Sequence, residues 1–453
     1  MRFLPCLMFI ILCLSENILA QNVGIGTQSP QQKLDVNGKI RIGNDNGSPA
    51  PGTIRYNDAT NDFEGFNGSE WKSLTASYSD VPLINNAALV EEQGYSIAIH
   101  GDFAVVGAPQ SDAGVGLAGI GVVFVFKRVN KQWQYQQQFF YGGDRRFGTS
   151  VAINDNFIFI GAPLTGGLIQ DGQVSVLKKV NGVFQYFTQF RATTRVDLEK
   201  YGTSLSLHGN YLAIGCRGHF NAGIPGNAGS VYIYKISNDV FTQLQRIDNP
   251  TGIPNQEFGV SIAVDSSVLV VGASKAPSSG DAGRGMVYVY KNSGSDNYVF
   301  ANTIEYALYG AAEDNFGKSI AMYEHRIVIG CPGLDIPPLN NIGAIFTCAK
   351  DGNGDFLSSN LEIRTHPFDT PETFFGKSVA MHNNILLAGS NKAVYEYLTF
   401  DGLWQYHKIV SNSLPGISNI DAYALAIYEL NYGIGDPVFN GSRGRIALGD
   451  CRY

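Results

Sequence analysis

Residues 147–163 read "FGTSVAINDNFIFIGAP". An aromatic–Gly pair opens the stretch and Gly-Ala-Pro closes it, with two short apolar runs split by Asn154-Asp155-Asn156. Two carboxamides and a carboxylate in a turn are oxygen donors for a cation, and they are equally the residues that a tight hairpin turn requires. The rest of the chain decides between these readings, because the stretch recurs. "GYSIAIHGDFAVVGAP", "YGTSLSLHGNYLAIGCRG", "FGVSIAVDSSVLVVGAS", "FGKSIAMYEHRIVIGCPG", "FGKSVAMHNNILLAGS" and a worn "AYALAIYELNYGIGDP" repeat its pattern. The leading glycine is Gly94, Gly148, Gly202, Gly259, Gly317 or Gly376, with Ala422 in the last copy, and a second glycine follows 13 residues later in all seven. The copies themselves step by 54, 54, 57, 58, 59 and 46 residues. A constant inner spacing with a drifting outer one describes a rigid hairpin joined by loops of variable length.

Each copy continues in the same way. A third apolar run follows ("GVVFVF", "GQVSVL", "GSVYIY", "GMVYVY", "GAIFTC", "KAVYEY", "GRIALG"), and then a fourth after a polar turn ("QWQYQQQF", "VFQYFTQF", "VFTQLQRI", "YVFANTIEY", "FLSSNLEI", "LWQYHKIV"). These runs are β-branched and aromatic and are bounded by Gly, Asn and Asp, as strands are. Four antiparallel strands at a period in the fifties predict a β-propeller blade. The expected fold is therefore all-β: a seven-bladed propeller of four-stranded antiparallel blades over 76–453, preceded by a small β-rich stalk module over 21–75. Small Gly and Ser residues suit the innermost strand, where blades crowd the axis, and the alternate Ile, Val and Leu can pack between sheets. The seventh copy lacks a fourth strand. The strand-like text "GSEWKSLTASYSDVPLI" (68–84) is expected to supply it and close the ring, since an open ring would leave an exposed edge.

Bulk composition agrees with strands. Charged residues make up only 16% of the chain, against about a quarter in ordinary proteins. Gly, Phe and Tyr, at 53, 27 and 23 copies, suit strands and tight turns. The net charge of −7 argues against nucleic acid as a main partner. Residues 1–20, "MRFLPCLMFIILCLSENILA", read as a secretory signal: one Arg, an apolar run from Phe3 to Leu14 too short to span a bilayer, and Ala20 at the cleavage point. The later chain has no comparable apolar stretch, so a secreted or cell-surface protein without a membrane span is expected. Removal of the signal leaves Cys216, Cys331, Cys348 and Cys451, spaced for neither zinc nor a dense disulfide framework. A Cys331–Cys348 bridge and free buried thiols both remain open.

The recurring aromatic-Gly-x-Ser-apolar-Ala followed by apolar-apolar-Gly-Ala-Pro resembles the FG-GAP repeat of integrin α-subunit propellers, in its short bacterial form. The resemblance covers roughly 90–450 and implies a seven-bladed propeller with an extracellular binding role. The N-terminal text "NVGIGTQSPQQKLDVNGKIRIG" and "GTIRYNDATNDFEGFNGSEWKSL" resembles stalk modules of exported proteins of Bacteroidetes-type bacteria and of phage tail fibres, which implies that a homotrimer is available through this module. Integrin relatives carry calcium in a long Asp-rich loop between strands one and two. Here that connection is a few residues ("HGD", "NDN", "HGN", "DSS"), too tight to wrap an ion needing six to eight oxygens, so no metal is expected.

Other motifs are weak. "DGNGDFLSSNLE" (351–362) has the acidic spacing of an EF-hand loop but Phe356 where glycine is needed. "GVGLAG" (114–119) precedes a strand and not the helix a nucleotide site requires. The six G-x-S serines occupy equivalent positions, so none reads as a unique nucleophile. His100, His208 and His382 share one repeat position on different blades and are expected as separate turn residues. No catalytic residue and no cofactor is assigned. Binding is expected on the face opposite the first hairpins, formed by the strand 2–3 loops and the loops between blades, where composition varies most. Arg145, Arg146, Arg217, His219, Phe220, Arg284, Asp112, Asp281 and Asp335 are the candidates there. The expected function is non-enzymatic recognition of a protein or glycan ligand. The alternatives are a structural or fibre-tip protein assembling through its stalk, and a propeller-based lyase or hydrolase.

Overall fold

The computed structural model describes 23–25, 34–36, 52–57, 62–66, 71–73 and 92–450, the last without 112–118, 131, 142–144, 166–170, 193–198, 219–227, 254, 279–282, 307–311, 369–370, 401–402, 411–420, 430 and 438–443. The chain forms two compact units, Met1–Ala76 and Ser77–Tyr453. In the first, Val23–Ile25 pairs in parallel with Leu34–Val36. Ile54–Asn57, Asp62–Phe66 and Trp71–Ser73 form a three-stranded antiparallel sheet. Trp71–Ser73 therefore does not complete the last blade: pairing across the short 67–70 connection costs far less loop entropy than pairing with a strand at the far end of the chain. The remainder of the expected closing segment, 74–84, lies outside the described residues.

The second unit is a seven-bladed β-propeller. Six blades are four-stranded antiparallel sheets with strands in sequence order, and among the described residues the seventh has three. Blade two shows the plan: Ser150–Ile153, Phe157–Ala162, Gln173–Val180 and Val183–Phe190. Strands two and three are apolar on both faces because both are covered by neighbouring blades. Seven hydrophobic clusters fill the seven interfaces. One joins Val231 and Ile233 of blade three to Phe258, Ile262 and Tyr288 of blade four. Another joins Ile97 and Phe124 of blade one to Ile446 and Leu448 of blade seven, so the ring closes through its core. A backbone bridge between Gln93 and Gly444 seals the same junction. In blade five the text "FLSSN" is not strand: a 3₁₀ turn at Ser358–Asn360 precedes the short fourth strand Glu362–Thr365.

The repeated serine and glycines have a specific task at the axis. Each serine hydroxyl donates to the backbone carbonyl of the next blade's leading residue: Ser96 to Gly148 (2.7 Å), Ser150 to Gly202 (2.8 Å), Ser204 to Gly259 (2.7 Å), Ser261 to Gly317 (2.6 Å), Ser319 to Gly376 (2.8 Å) and Ser378 to Ala422 (2.6 Å). The second glycine lies against the same carbonyl. A Cβ on Gly272 would sit 2.1 Å from the Gly317 oxygen, well inside contact distance. The leading glycine turns the chain into the first strand with positive φ, +85° at Gly259. The aromatic before it is buried in five copies, as Phe147, Tyr201, Phe258, Phe316 and Phe375.

A second clasp operates on the outer strands. A β-bulge in blades one, three and four precedes Gln137, Gln245 and Asn302. The Gln137 amide donates to the Phe184 carbonyl (3.1 Å) and accepts from the Phe184 N–H (3.0 Å), and Gln245 does the same with Tyr298 (3.0 and 2.9 Å). Asn302 donates to the Phe356 carbonyl at 2.8 Å. These polar residues in otherwise half-buried strands thus fasten neighbouring blades.

Cys216, Cys331 and Cys348 are free and buried. The open question of a Cys331–Cys348 bridge is answered by strand register: Cys331 faces Ala344 and Cys348 faces Ile327, at opposite ends of one hairpin. Burial raises both thiols, Cys348 to about 11, so they stay protonated at neutral pH.

Ser261→Ala leaves the Gly317 carbonyl without its inter-blade donor and is expected to cost about 1–2 kcal/mol. Gly272→Ala must force blades four and five apart and is expected to cost about 3 kcal/mol or more. Urea denaturation of the two variants checks the order; equal stabilities would refute the account of the axis.

Candidate functional site

The innermost strands surround an axial chamber of about 900 Å³. Pro163, Leu164, Arg217, Pro332 and Asn391 of strand 2–3 loops line it, so it opens on the face opposite the first hairpins. Beneath it lies a second cavity of about 270 Å³. The two share one residue per blade, Ile97, Val151, Leu205, Ile262, Ile320, Val379 and Leu425, which form an apolar waist.

Above the waist the lining is cationic. Arg146, Lys200, Arg217, Lys318 and Lys377 all border the chamber, and among the described residues no carboxylate does. They come from repeat positions. Lys318 and Lys377 directly follow the leading glycine, and Arg146 and Lys200 stand two before it. Arg146 and Lys200 have left-handed backbones (φ 59° and 55°). Thr149 and Thr203 brace these turns, their hydroxyls donating to the Arg146 and Lys200 carbonyls at 2.8 and 2.7 Å. The same left-handed turn recurs at Glu92, Glu257, Asn315 and Phe374, so it belongs to the scaffold and the side chain it presents varies.

Two acids stand behind the cations. Glu257 lies 3.4 Å from Arg217 and 3.6 Å from Lys318, and Asp421 pairs with Lys377. Arg146 and Lys200 have no ion-pair partner among the described residues. Burial lowers the Lys318 ammonium, opposed by Glu257 and aided by Arg217 and Lys275. Burial and then Arg217 lower that of Lys200, with Glu257 opposing. Burial alone would raise the Glu257 carboxyl, but Lys318, Arg217, Ser274 and Lys275 outweigh it and hold it below its ordinary value. One carboxylate is thus shared by several cations. Across the mouth the Tyr95 and Tyr423 rings pack together with centroids 4.7 Å apart. Lys377 lies over Tyr423 at 5.6 Å, and burial, the Tyr95 hydroxyl and Glu92 raise the Tyr423 hydroxyl, with Arg217 opposing.

Of the residues singled out from sequence, Arg146 and Arg217 line the chamber. Arg145 is exposed beside it, its N–H bonded to the Thr165 hydroxyl at 3.1 Å. Arg284 is 5% exposed: its guanidinium lies 4.6 Å from the Tyr306 ring and donates to the Tyr306 carbonyl at 2.9 Å, so its expected surface role gives way to packing. Asp335 accepts from the Asn341 N–H at 2.7 Å and ties its own loop. Asp112, His219, Phe220 and Asp281 lie outside the described residues, as does most of the 114–119 glycine motif. Sequence reasoning missed Lys200, Lys318, Lys377 and the tyrosine pair. The signal was present in the positions flanking each leading glycine, read across all copies, and attention to variable loops passed over it.

The turns that looked like ion sites have their oxygens engaged. Asn154 Oδ1 accepts from the N–H groups of Asn156 and Phe157 at 3.0 and 2.8 Å, and Asp265 Oδ1 from those of Ser267 and Val268, both at 2.6 Å. In the 351–362 segment, Asp351 Oδ1 accepts from Asn353 and Asp355, Asp355 pairs with Lys291, and Glu362 pairs with Arg364. Among the described residues no cluster of three or more His, Cys, Asp or Glu side chains is arranged to hold a metal ion.

On the hairpin face His100 and His382 both pack on Tyr428 of blade seven, at centroid distances of 4.4 and 5.2 Å, and Tyr323 continues the run at 4.6 Å from His382. Ring closure makes blades six and one next-but-one neighbours. Burial lowers the His382 imidazole, opposed by Glu429 and Glu324 and aided by His100, and its Nδ1 accepts from the Glu429 N–H at 3.2 Å.

No protein-family model matches the chain, and no curated protein matches it. Among solved structures it is similar to the Pan2 WD40 domain of Neurospora crassa, at 8% identity and a TM-score of 0.47, over 80% of this chain and 90% of that one. It is also similar to the extracellular domain of the one component system BT4673 from B. thetaiotaomicron, at 16% identity and a TM-score of 0.46. That match covers 83% of this chain and 40% of the other, so the chain spans well under half of that structure.

Two measurements test the site's chemistry. Calorimetric titration with Ca²⁺ is expected to show nothing tighter than about millimolar, since the turn oxygens are occupied; a micromolar site would contradict that assignment. His382 is also expected to make stability pH-dependent. Its folded imidazole resists protonation, so the stability it contributes is present above the ordinary value of 6.5 and is lost as pH falls through it. Melting temperatures between pH 7.5 and 5.5 should show a decline that His382→Gln flattens.

Proposed function

We propose that the protein is an exported, non-enzymatic binding protein that takes a protein or glycan ligand on the loop face of its propeller. The observation that carries this reading is the chamber of about 900 Å³ on that face, lined by side chains from every blade on a rigid scaffold. Its cations serve electrostatic recognition. The six Ser-to-carbonyl clasps support the likeness to the FG-GAP repeat, because they give its glycine and serine a shared physical purpose. Export is supported by the apolar N-terminal text. Among the described residues no helix is long and apolar enough to cross a membrane. The N-terminal module is proposed as the stalk that presents the ring.

A face-blocking experiment tests this reading. Asn340→Cys on the loop face and Asn156→Cys on the hairpin face each take a maleimide–polyethylene glycol, with the unsubstituted chain as control. On glycan and surface-protein arrays, the polymer at 340 should abolish the signal and the polymer at 156 should leave it. The reverse pattern would overturn the face assignment.

A further inference from the structure

The chamber's chemistry narrows the ligand further, on the reading that the loop face is the binding face. A chain of net charge −7 gathers five cationic side chains around one cavity that no carboxylate borders among the described residues; Glu257 and Glu313 line an adjoining cavity that shares Lys200 and Arg217. Glu257 and Asp421 partner three of them, and Arg146 and Lys200 line the chamber without an ion-pair partner among the described residues. Lys318 and Lys200 are partly desolvated beside other cations, a cost that an incoming anion would relieve. One recurring way to hold a peptide is through backbone bonds to a sheet edge. Here the leading-residue carbonyls at the mouth are already taken by the serine hydroxyls of preceding blades. What remains is side-chain recognition: guanidinium and ammonium groups for carboxylates, and the Tyr95–Tyr423 pair as an aromatic face for the C–H surface of a sugar ring.

We propose that the axial chamber is the binding site of an acidic, carboxylate-bearing glycan, its carboxylates seated on Arg146, Lys200, Arg217 and Lys318 and a sugar face on Tyr95 and Tyr423. The volume accommodates a short oligosaccharide or the end of a longer chain. Association is steered by the cationic mouth and weakens with salt.

Calorimetry on the full chain tests this with three probes: an oligogalacturonate, its neutral methyl ester, and an oligoglutamate of equal charge. The oligogalacturonate should bind, lose about tenfold or more in affinity between 50 and 300 mM salt, and lose about tenfold or more with Arg146→Glu/Lys200→Glu. Melting temperatures of that variant and of the charge-neutral Arg146→Gln/Lys200→Gln separate loss of binding from loss of fold, since Glu257 acts on Lys200; the neutral pair should keep the fold and still lose affinity. Tyr95→Ala should weaken the oligogalacturonate and leave the oligoglutamate as it was. Silence of the oligogalacturonate, equal binding of its methyl ester, or binding indifferent to Arg146→Glu/Lys200→Glu overturns the proposal. Tighter binding of the oligoglutamate with the same sensitivity overturns the glycan assignment in favour of an acidic peptide. These outcomes are separable from failure of the loop-face reading, which the polymer-blocking experiment decides without reference to charge.

Discussion

A serine hydroxyl on one innermost strand and a backbone carbonyl on the next hold this ring together. The bond needs the two strands close enough that a methyl group cannot stand between them, as the 2.1 Å approach at Gly272 shows. Ser-x-apolar and Gly-Ala-Pro are therefore two halves of one contact, made between different copies of the repeat. Six copies make it, and the seventh junction substitutes a close approach of Gly435 to Gly94 and a shared core. The strict 13-residue spacing follows, because within each hairpin the serine and the second glycine are cross-strand partners, as Ser150 is of Gly161. A shift of one residue would turn the serine away from the neighbouring blade.

The same constraint shapes the chamber. Once serines and carbonyls are spent on one another, the mouth has few free backbone groups, and its character is set by the residues beside the leading glycine. The scaffold tolerates anything there that the left-handed turn allows: Glu92 and Glu257 as well as Arg146 and Lys200. Charge at the axis is thus decoupled from ring stability. A cationic mouth on an acidic protein is a local property of a handful of substitutions on a common frame, which is how a superfold acquires a particular site.

The ring was readable because its determinants are local and repeated. Period-two strands, tight polar turns and a fixed glycine spacing each appear within some twenty residues, and seven copies average out the noise of any one. Turn chemistry was legible for the same reason: Asn154 and Asp265 accept from N–H groups two and three residues ahead. Arg284 was misread because nothing near it in sequence announces Tyr306 as its packing partner. Strand-like text does not specify a partner: Trp71–Ser73 pairs with the near strand Asp62–Phe66, and 74–84 lies outside the described residues.

What the sequence determined by itself was the repeating unit, the number of blades and the identity of the buried faces, since each rests on periodicity and propensity within one hairpin. Only the tertiary structure decided which side chains meet at the axis. Arg146, Lys200, Arg217, Lys318 and Lys377 are spread over four blades, and in any single copy each looks like an ordinary solvated charge. Closure of the ring brings them around one cavity, where Lys200 and Lys318 are partly desolvated beside Arg217.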